Sequence, residues 1–185
     1  RRLVLAGEYE EGARVLRGLL EATPADADAL ELLGEAMLKR RRWQDGEAAF
    51  AQALFVRPDS WAANFGRGFA LRRLGRAAES IPCLERALRR RESSAACLAE
   101  LGAAWLELGD NARAETVLQN ALQLQPDSVE VLHIATRMLM AKGDRAGATA
   151  CLETLLAKEP LHAAGQYLLA RLEPRLTAAD TVVFL

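Results

Sequence analysis

The chain has 185 residues, of which 51% are hydrophobic and only 5% aromatic, and its formal net charge is −1. This balance argues against a strongly basic nucleic-acid binder and against a disordered chain with too few apolar residues to form a core. Alanine and leucine dominate, which favours close-packed helices over a sheet. No apolar run approaches the ~18 residues that a membrane span requires.

Four prolines mark a fixed period along the chain. Pro24, Pro58, Pro126 and Pro160 are separated by 34, 68 and 34 residues, and Glu92 stands where a fifth proline would fall. Such a period is typical of stacked helical hairpins. Because proline cannot continue a helix, each one is expected just after the second helix of a hairpin.

The predicted helices follow this period in chain order. Residues 1–6 are expected to end a truncated first helix, and residues 8–21 to form its partner. The complete hairpins are predicted at 26–40 with 43–56, 60–74 with 76–90, 94–108 with 110–124, and 128–142 with 144–157. A lone helix at 162–172 would then cover the last hairpin, as an array of this kind requires.

Small and large residues recur at fixed positions when each proline is placed at position 32 of its unit. Position 8 holds a small residue in each unit: Gly34, Gly68, Gly102, Thr136. Position 15 is glycine in all units but one: Gly7, Arg41, Gly75, Gly109, Gly143. Position 24 is large and apolar: Leu16, Phe50, Leu84, Leu118, Leu152. We expect the glycine at 15 to end the first helix in a left-handed conformation, and the small residue at 8 to let the two helices approach closely.

This pattern resembles the tetratricopeptide repeat. Within the fourth unit, Leu98, Leu101 and Trp105 fill three further positions of that consensus. The resemblance implies an all-α fold, an α-solenoid in which antiparallel helix hairpins of 34-residue period form a right-handed superhelix. It divides the chain into a repeat array over 1–173 and a tail. The parts are a partial repeat 1–24, repeats 27–60, 61–94, 95–128 and 129–162, a closing helix 163–173, and the tail 174–185.

The tail is expected to begin a further helix. Thr177, with Asp180 three residues later, resembles a capping box, although Pro174 first interrupts the array. The chain starts at Arg1 without a methionine and ends on an apolar stretch, so we expect both ends to be cut from a longer protein.

The third repeat departs from the pattern. Asn64 and Arg67 stand at positions 4 and 7, where the family has buried apolar residues, and Gly66 adds a second glycine to the helix. Either this helix is rotated, with Arg67 at the surface and Trp61 turned inward, or the groove opens locally and an acid such as Glu35 or Glu100 holds Arg67. A buried arginine without a partner would be costly.

The resemblance implies that the inner face of the first helices holds an extended peptide or a partner helix. The groove residues that it selects here are Glu35, Lys39, Phe65, Phe69, Arg72, Arg73, Glu100, Glu107, His133, Arg137, Tyr167 and Arg171. They predict an acidic end, a centre of aromatic and arginine side chains, a floor of small residues, and a basic end.

Phe65 and Phe69 lie one helical turn apart, which would suit apolar anchoring of a ligand. The alternative is that both pack on the neighbouring helix and never meet solvent. Arg72, Arg73 and Arg137 are expected to bind carboxylates. The Lys, Asn, Asn, Lys, Arg set with which some family members bind chaperone C-termini is not reproduced, because Lys39 is the groove's one lysine.

Other chemistry has weaker support in the sequence. Arginine clusters such as Arg40–Arg42 fall at the ends of predicted helices, where cations complement the helix dipole, so we do not expect nucleic-acid binding. The cysteines Cys83, Cys97 and Cys151 form no metal-binding motif, and we interpret them as small apolar packing residues. No catalytic, cofactor or metal site is expected around His133 and His162, so we do not expect an enzyme.

We therefore expect a protein–protein interaction scaffold that binds a protein or peptide in its concave groove. The alternatives are the non-catalytic repeat domain of a larger bacterial enzyme such as a transferase, an envelope or secretion assembly factor, and self-association through the ends of the array. A cytoplasmic location is expected from the free thiols. The composition hints at a GC-rich bacterial genome.

Overall fold

The computed structural model describes residues 8–90 and 93–172, and this part of the chain consists of ten α-helices with short connections and no strand. They are α1 Tyr9–Ala22, α2 Ala27–Lys39, α3 Trp43–Val56, α4 Trp61–Arg73, α5 Ala77–Arg90, α6 Ala95–Glu107, α7 Asn111–Leu124, α8 Val129–Lys142, α9 Arg145–Lys158 and α10 Ala163–Leu172. Each begins and ends within about two residues of its predicted bounds, the usual uncertainty of a helix end. The predictions for residues 1–6, for Glu92 and for the tail 174–185 lie outside the described residues.

Polar side chains start most of the first helices. Asp26, Ser60, Ser94 and Ser128 each accept a hydrogen bond from the backbone N–H three residues on. A cap of this kind satisfies one of the N–H groups that a helix start leaves without a partner, which is typically worth about 1 kcal/mol. The first helices of these four repeats therefore begin at fixed points.

Left-handed residues end the same helices. Gly75, Gly109 and Gly143 have φ angles of +76°, +79° and +83°, and Arg41 adopts +56° at the equivalent position of its repeat. The prediction of a left-handed residue at position 15 is confirmed for these four units, including the one that lacks glycine, while Gly7 lies outside the described residues. The chain can then reverse direction into the second helix of the hairpin.

Glycine and a large apolar side chain interlock inside each of the hairpins α4–α5 and α6–α7. A Cβ built on Gly68 would lie 2.7 Å from Cγ of Leu84, and one built on Gly102 would lie 2.6 Å from Cγ of Leu118. Real Cβ atoms do not approach so closely, so only glycine permits these helix separations. Positions 8 and 24 thus form one packing unit.

Successive hairpins stack so that their first helices touch. Helix α2 contacts α4, α4 contacts α6, and α6 contacts α8, while each also packs on the second helix of its own hairpin. We call the surface formed by α2, α4, α6, α8 and α10 the inner face. The α-solenoid predicted from the period is confirmed. Across the residues that the structure describes, no helix combines the length and apolar composition needed to cross a bilayer.

Candidate functional site

A pocket of about 640 Å³ opens on the inner face between α2 and α4. We call it the α2/α4 pocket. Its lining residues are Asp28, Glu31, Leu32, Glu35, Leu38, Lys39, Trp43, Phe50, Trp61, Ala62, Phe65, Gly66 and Phe69. Its volume falls in the range of small-ligand or side-chain binding sites, and its apolar lining with a few charged groups is typical of them.

Phe50 forms the floor of this pocket. Its ring fits between two glycines of the neighbouring first helices, since a Cβ on Gly34 would lie 2.7 Å from Cζ of Phe50 and a Cβ on Gly66 only 2.3 Å from it. Elsewhere position 24 is leucine, whereas the longer phenylalanine reaches past Gly34 to the next first helix. The additional glycine at position 66 therefore makes room for the floor of the pocket.

Two aromatic pairs form the walls. Trp61 and Phe65 stack with ring centroids 5.1 Å apart, and Trp43 meets Phe69 edge to face at 6.0 Å. The guanidinium of Arg73 lies 4.9 Å from the Phe69 ring centroid, at cation–π distance. Phe65 and Phe69 are half-buried and line the pocket, so they both pack on neighbouring side chains and face the open space.

Three carboxylates line the mouth of the pocket, and they differ in how far hydrogen bonds and ion pairs compensate their charge. Asp28 receives a hydrogen bond from Arg57 at 2.9 Å, while Glu31 accepts one from Ser60 Oγ at 2.6 Å and lies 3.7 Å from Arg57. The exposed Glu35 side chain makes no ion pair or hydrogen bond with any described residue. Glu35 is therefore the carboxylate at this mouth that has no cationic partner among the described residues.

Arg72 lies in the centre of the inner face, but it is not available to a ligand carboxylate. Only 8% of the residue is exposed, and its Nε and Nη1 donate to Glu100 at 2.6 Å and to Glu107 at 2.7 Å. Burial alone would lower the pKa of Arg72, but the two carboxylates outweigh it and the pKa is raised. Arg72, Glu100 and Glu107 form an internal ion network between α4 and α6, which differs from the carboxylate-binding role expected for Arg72.

The unusual polar residues of α4, Arg67 and Asn64, donate hydrogen bonds to nearby groups, whereas the buried Oδ1 of Asn64 has no hydrogen-bond partner among the described residues. The half-buried Arg67 donates from Nε to Glu47 on α3 at 2.8 Å, so neither Glu35 nor Glu100 holds it, and of the two alternatives the one that paired Arg67 with either acid is wrong. The buried Asn64 donates from Nδ2 to the carbonyls of Pro58 and Ser60 at 3.0 and 2.8 Å. Asn64 thus fastens the preceding turn to α4, which explains a polar residue where the family has an apolar one.

A second, basic pocket of about 390 Å³ lies between α8 and α10, with His133, Arg137, Tyr167 and Arg171 in its lining. Burial lowers the pKa of His133 from its usual value, and the positive charges of Arg137, His162 and Arg73 lower it further. The buried Nδ1 of His133 has no hydrogen-bond partner among the described residues. The two ends of the inner face therefore carry opposite charge, acidic at α2 and basic at α8 and α10.

The cysteines are packing residues in this structure, as expected. Cys83 and Cys97 are buried and Cys151 is half-buried, and burial raises the pKa of Cys97 to about 12. A thiol with so high a pKa is a poor nucleophile at neutral pH. Across the described residues, no group of three His, Cys, Asp or Glu side chains could hold a metal ion.

The inner face brings together most of the groove residues expected from the sequence. Glu35, Lys39, Phe65 and Phe69 line the α2/α4 pocket, and His133, Arg137, Tyr167 and Arg171 line the basic one. Between them, Arg73 stays exposed beside the buried Arg72. Sequence reasoning missed Trp43, Phe50, Trp61 and Ala62 as pocket residues. The sequence feature that could have indicated this pocket is the phenylalanine at position 24 together with the additional Gly66.

Helix hairpins of fixed period, stacked with their first helices inward, define a helical repeat protein of the tetratricopeptide class. Two tetratricopeptide repeat family models match the chain, one over residues 1–50, 36–95 and 70–129 and the other over residues 106–172. The chain belongs to the tetratricopeptide repeat family, whose members are generally protein-interaction scaffolds.

The chain resembles its relatives at low sequence identity. The chain is 31% identical over 104 residues to Superkiller complex protein 3 of Mus musculus, a match that spans 56% of the chain and 7% of that protein. Among solved structures, MamA superposes with a TM-score of 0.73 at 19% identity, covering 88% of this chain and 95% of MamA. YrrB, described as a TPR protein with an unusual peptide-binding site, has a TM-score of 0.72 at 18% identity over 91% of this chain and 87% of YrrB.

Proposed function

We propose that this chain is a binding module that holds an extended peptide or a partner helix against its inner face. The observation that carries the proposal is the α2/α4 pocket, a concave site of about 640 Å³ with half-buried aromatic walls. Buried aromatic anchors commonly supply most of the affinity of an interface, while surrounding polar contacts contribute specificity. Phe65 and Phe69 are the apolar contacts, and the exposed Arg73 and Arg137 are two of the cations open to a ligand.

The likeness to YrrB, a structure described as having a peptide-binding site, is consistent with this assignment. Its identity to this chain is too low to transfer a ligand, so the support is limited to the shared scaffold. The basic pocket between α8 and α10 extends the candidate groove toward the other end of the array.

A pull-down from an extract with two matched double variants tests the proposal. Phe69→Ala with Arg73→Ala removes an aromatic wall and its neighbouring cation, whereas Phe55→Ala with Arg86→Ala removes the same residue types from exposed sites on the second helices α3 and α5. The inner-face variant is expected to lose partners that the wild type retains, and the outer variant to keep them. Equal retention by both would contradict the proposal, with thermal melts showing that each variant is folded.

A further inference from the structure

The charge at the mouth of the α2/α4 pocket indicates the chemistry of its occupant. Three carboxylates, Asp28, Glu31 and Glu35, accompany a single lysine, Lys39, in the lining. Arg57 compensates Asp28 and partly Glu31, but it leaves Glu35 unpaired among the described residues. Arg73 adds a cation beside Phe69 and Trp43, so the net negative charge of the pocket is local to α2, which contributes three carboxylates and one lysine to the lining.

We propose that the α2/α4 pocket recognises a basic segment of a partner protein, in which an arginine or lysine stands next to a bulky apolar residue. The apolar side chain would fill the space above Phe50, and the cation would lie against Glu35 and the aromatic walls. This inference rests on the proposed function, which it deepens by naming the chemistry of the partner.

The chain itself already shows that these aromatic walls accept a guanidinium. Arg73 lies 4.9 Å from the ring centroid of Phe69 and 5.9 Å from that of Trp43. A cation over an aromatic ring gains about 0.5–1 kcal/mol at exposed sites and more when it is desolvated. A ligand arginine beside Glu35 would combine such a contact with a charge-assisted hydrogen bond, which is stronger than one between neutral groups.

The basic pocket at the other end of the inner face argues against an acidic partner at the α2/α4 pocket. His133, Arg137 and Arg171 line the pocket between α8 and α10, so an acidic segment would be attracted there rather than to α2. An acidic peptide at the α2/α4 pocket would place like charges together, and such contacts suppress binding of the wrong partner.

Selection from a displayed library of random peptides, panned on the folded chain, provides probes that assume nothing about the sequence of the partner. Each recovered peptide is first tested against the Phe69→Ala, Arg73→Ala double variant, to show that it occupies the inner face. Its affinity is then measured for the wild type, for Glu35→Lys, and for Glu85→Lys. Glu85→Lys makes the same change in net charge at an exposed site on the second helix α5.

The expected result is that inner-face peptides carry arginine or lysine beside an apolar residue. Glu35→Lys should weaken them by about tenfold or more, and Glu85→Lys by no more than about twofold, where a tenfold change corresponds to about 1.4 kcal/mol. Replacing the peptide arginine with neutral citrulline should weaken binding to the wild type and have little effect on binding to Glu35→Lys.

Two outcomes overturn the inference, and they differ in what they leave standing. The first is that the inner-face peptides are not enriched in cations, or that Glu35→Lys and Glu85→Lys affect them equally. Either result would contradict a basic partner but would still support a peptide-binding groove. Peptides indifferent to the Phe69→Ala, Arg73→Ala variant, or the recovery of none, would contradict both the inference and the proposed function.

Discussion

The ring of Phe50 occupies the space that a side chain at Gly66 would need: a Cβ built on Gly66 would lie 2.3 Å from Cζ of Phe50. In the next repeat, position 24 is Leu84 and the residue equivalent to Gly66 is Glu100. A second glycine is thus coupled to the larger side chain, and this coupling creates the floor of the α2/α4 pocket.

Gly66→Ala is therefore expected to destabilise the chain. Overpacking costs about 1–3 kcal/mol, which outweighs the roughly 1 kcal/mol that alanine gains over glycine in a helix. With Phe50→Leu already present, Gly66→Ala should become neutral or stabilising, and urea unfolding of the four-member mutant cycle measures this coupling.

Gly18→Ala is the matched control, because Gly18 also lies within a helix but has no atom within 4 Å of a built Cβ. It should raise the free energy of unfolding by up to about 1 kcal/mol. Additive effects of Phe50→Leu and Gly66→Ala would show that the two residues do not restrain each other.

The repeat pattern predicts the scaffold because each hairpin repeats the same packing. Gly68 with Leu84 and Gly102 with Leu118 follow directly from positions 8 and 24. The pocket could not be derived in the same way, since it depends on how far one phenylalanine reaches into the next repeat.

The arginines of α4 show a second limit of sequence reasoning. Helical spacing placed Arg67 and Arg72 on the correct helix, but the pairing of Arg67 with Glu47 and of Arg72 with Glu100 depends on side-chain direction and helix rotation. Spacing along a helix fixes neither, so the sequence could offer Glu100 only as one candidate partner of Arg67, whereas Glu100 pairs with Arg72.

Arg72→Ala is expected to destabilise the chain much more than Arg73→Ala. Removing one member of a buried ion network leaves uncompensated charge and costs about 3–5 kcal/mol, whereas the exposed Arg73 loses a cation–π contact worth about 0.5–1 kcal/mol. Urea unfolding of the two neighbouring single variants gives the comparison. Similar costs would show that the network with Glu100 and Glu107 does not stabilise the fold.

Arg41→Gly is expected to stabilise the chain by about 0.5–1 kcal/mol. Arg41 adopts a φ of +56°, which is strained for a residue with a Cβ, and glycine relieves that strain. The reverse change, Gly75→Ala, puts a Cβ at a φ of +76° and should cost about 1 kcal/mol although no neighbouring atom is close. The melting temperatures of both variants, compared with the wild type, test these two predictions. A lower melting temperature for Arg41→Gly would show that Arg41 is not strained.

His133 is expected to have a lowered pKa in the folded chain, with consequences for stability at acidic pH. Burial and the charges of Arg137, His162 and Arg73 lower the pKa of His133 in the folded chain, so its neutral form is favoured there. Because the unfolded chain then binds more protons, the contribution of His133 to stability is present above the unfolded pKa of about 6.5 and is lost as pH falls through the folded pKa.

NMR titration of the imidazole in two charge variants checks the cause. Arg137→Gln should raise the pKa of His133, because Arg137 is one of the charges that lower it, and Arg171→Gln in the same pocket provides the comparison. An unchanged pKa in Arg137→Gln would show that Arg137 does not contribute, and would leave burial with His162 and Arg73 as the causes.

The most direct test of the binding account is to fill the α2/α4 pocket without removing any packing. Ala62 is exposed and lines the pocket, and Ala112 is an exposed alanine on the second helix α7. The measurement is the dissociation constant of one library-selected peptide for Ala62→Trp, with Ala112→Trp as control. If the peptide occupies this pocket, Ala62→Trp alone should weaken its binding about tenfold or more, equivalent to at least about 1.4 kcal/mol. Equal affinity in the two variants would contradict it.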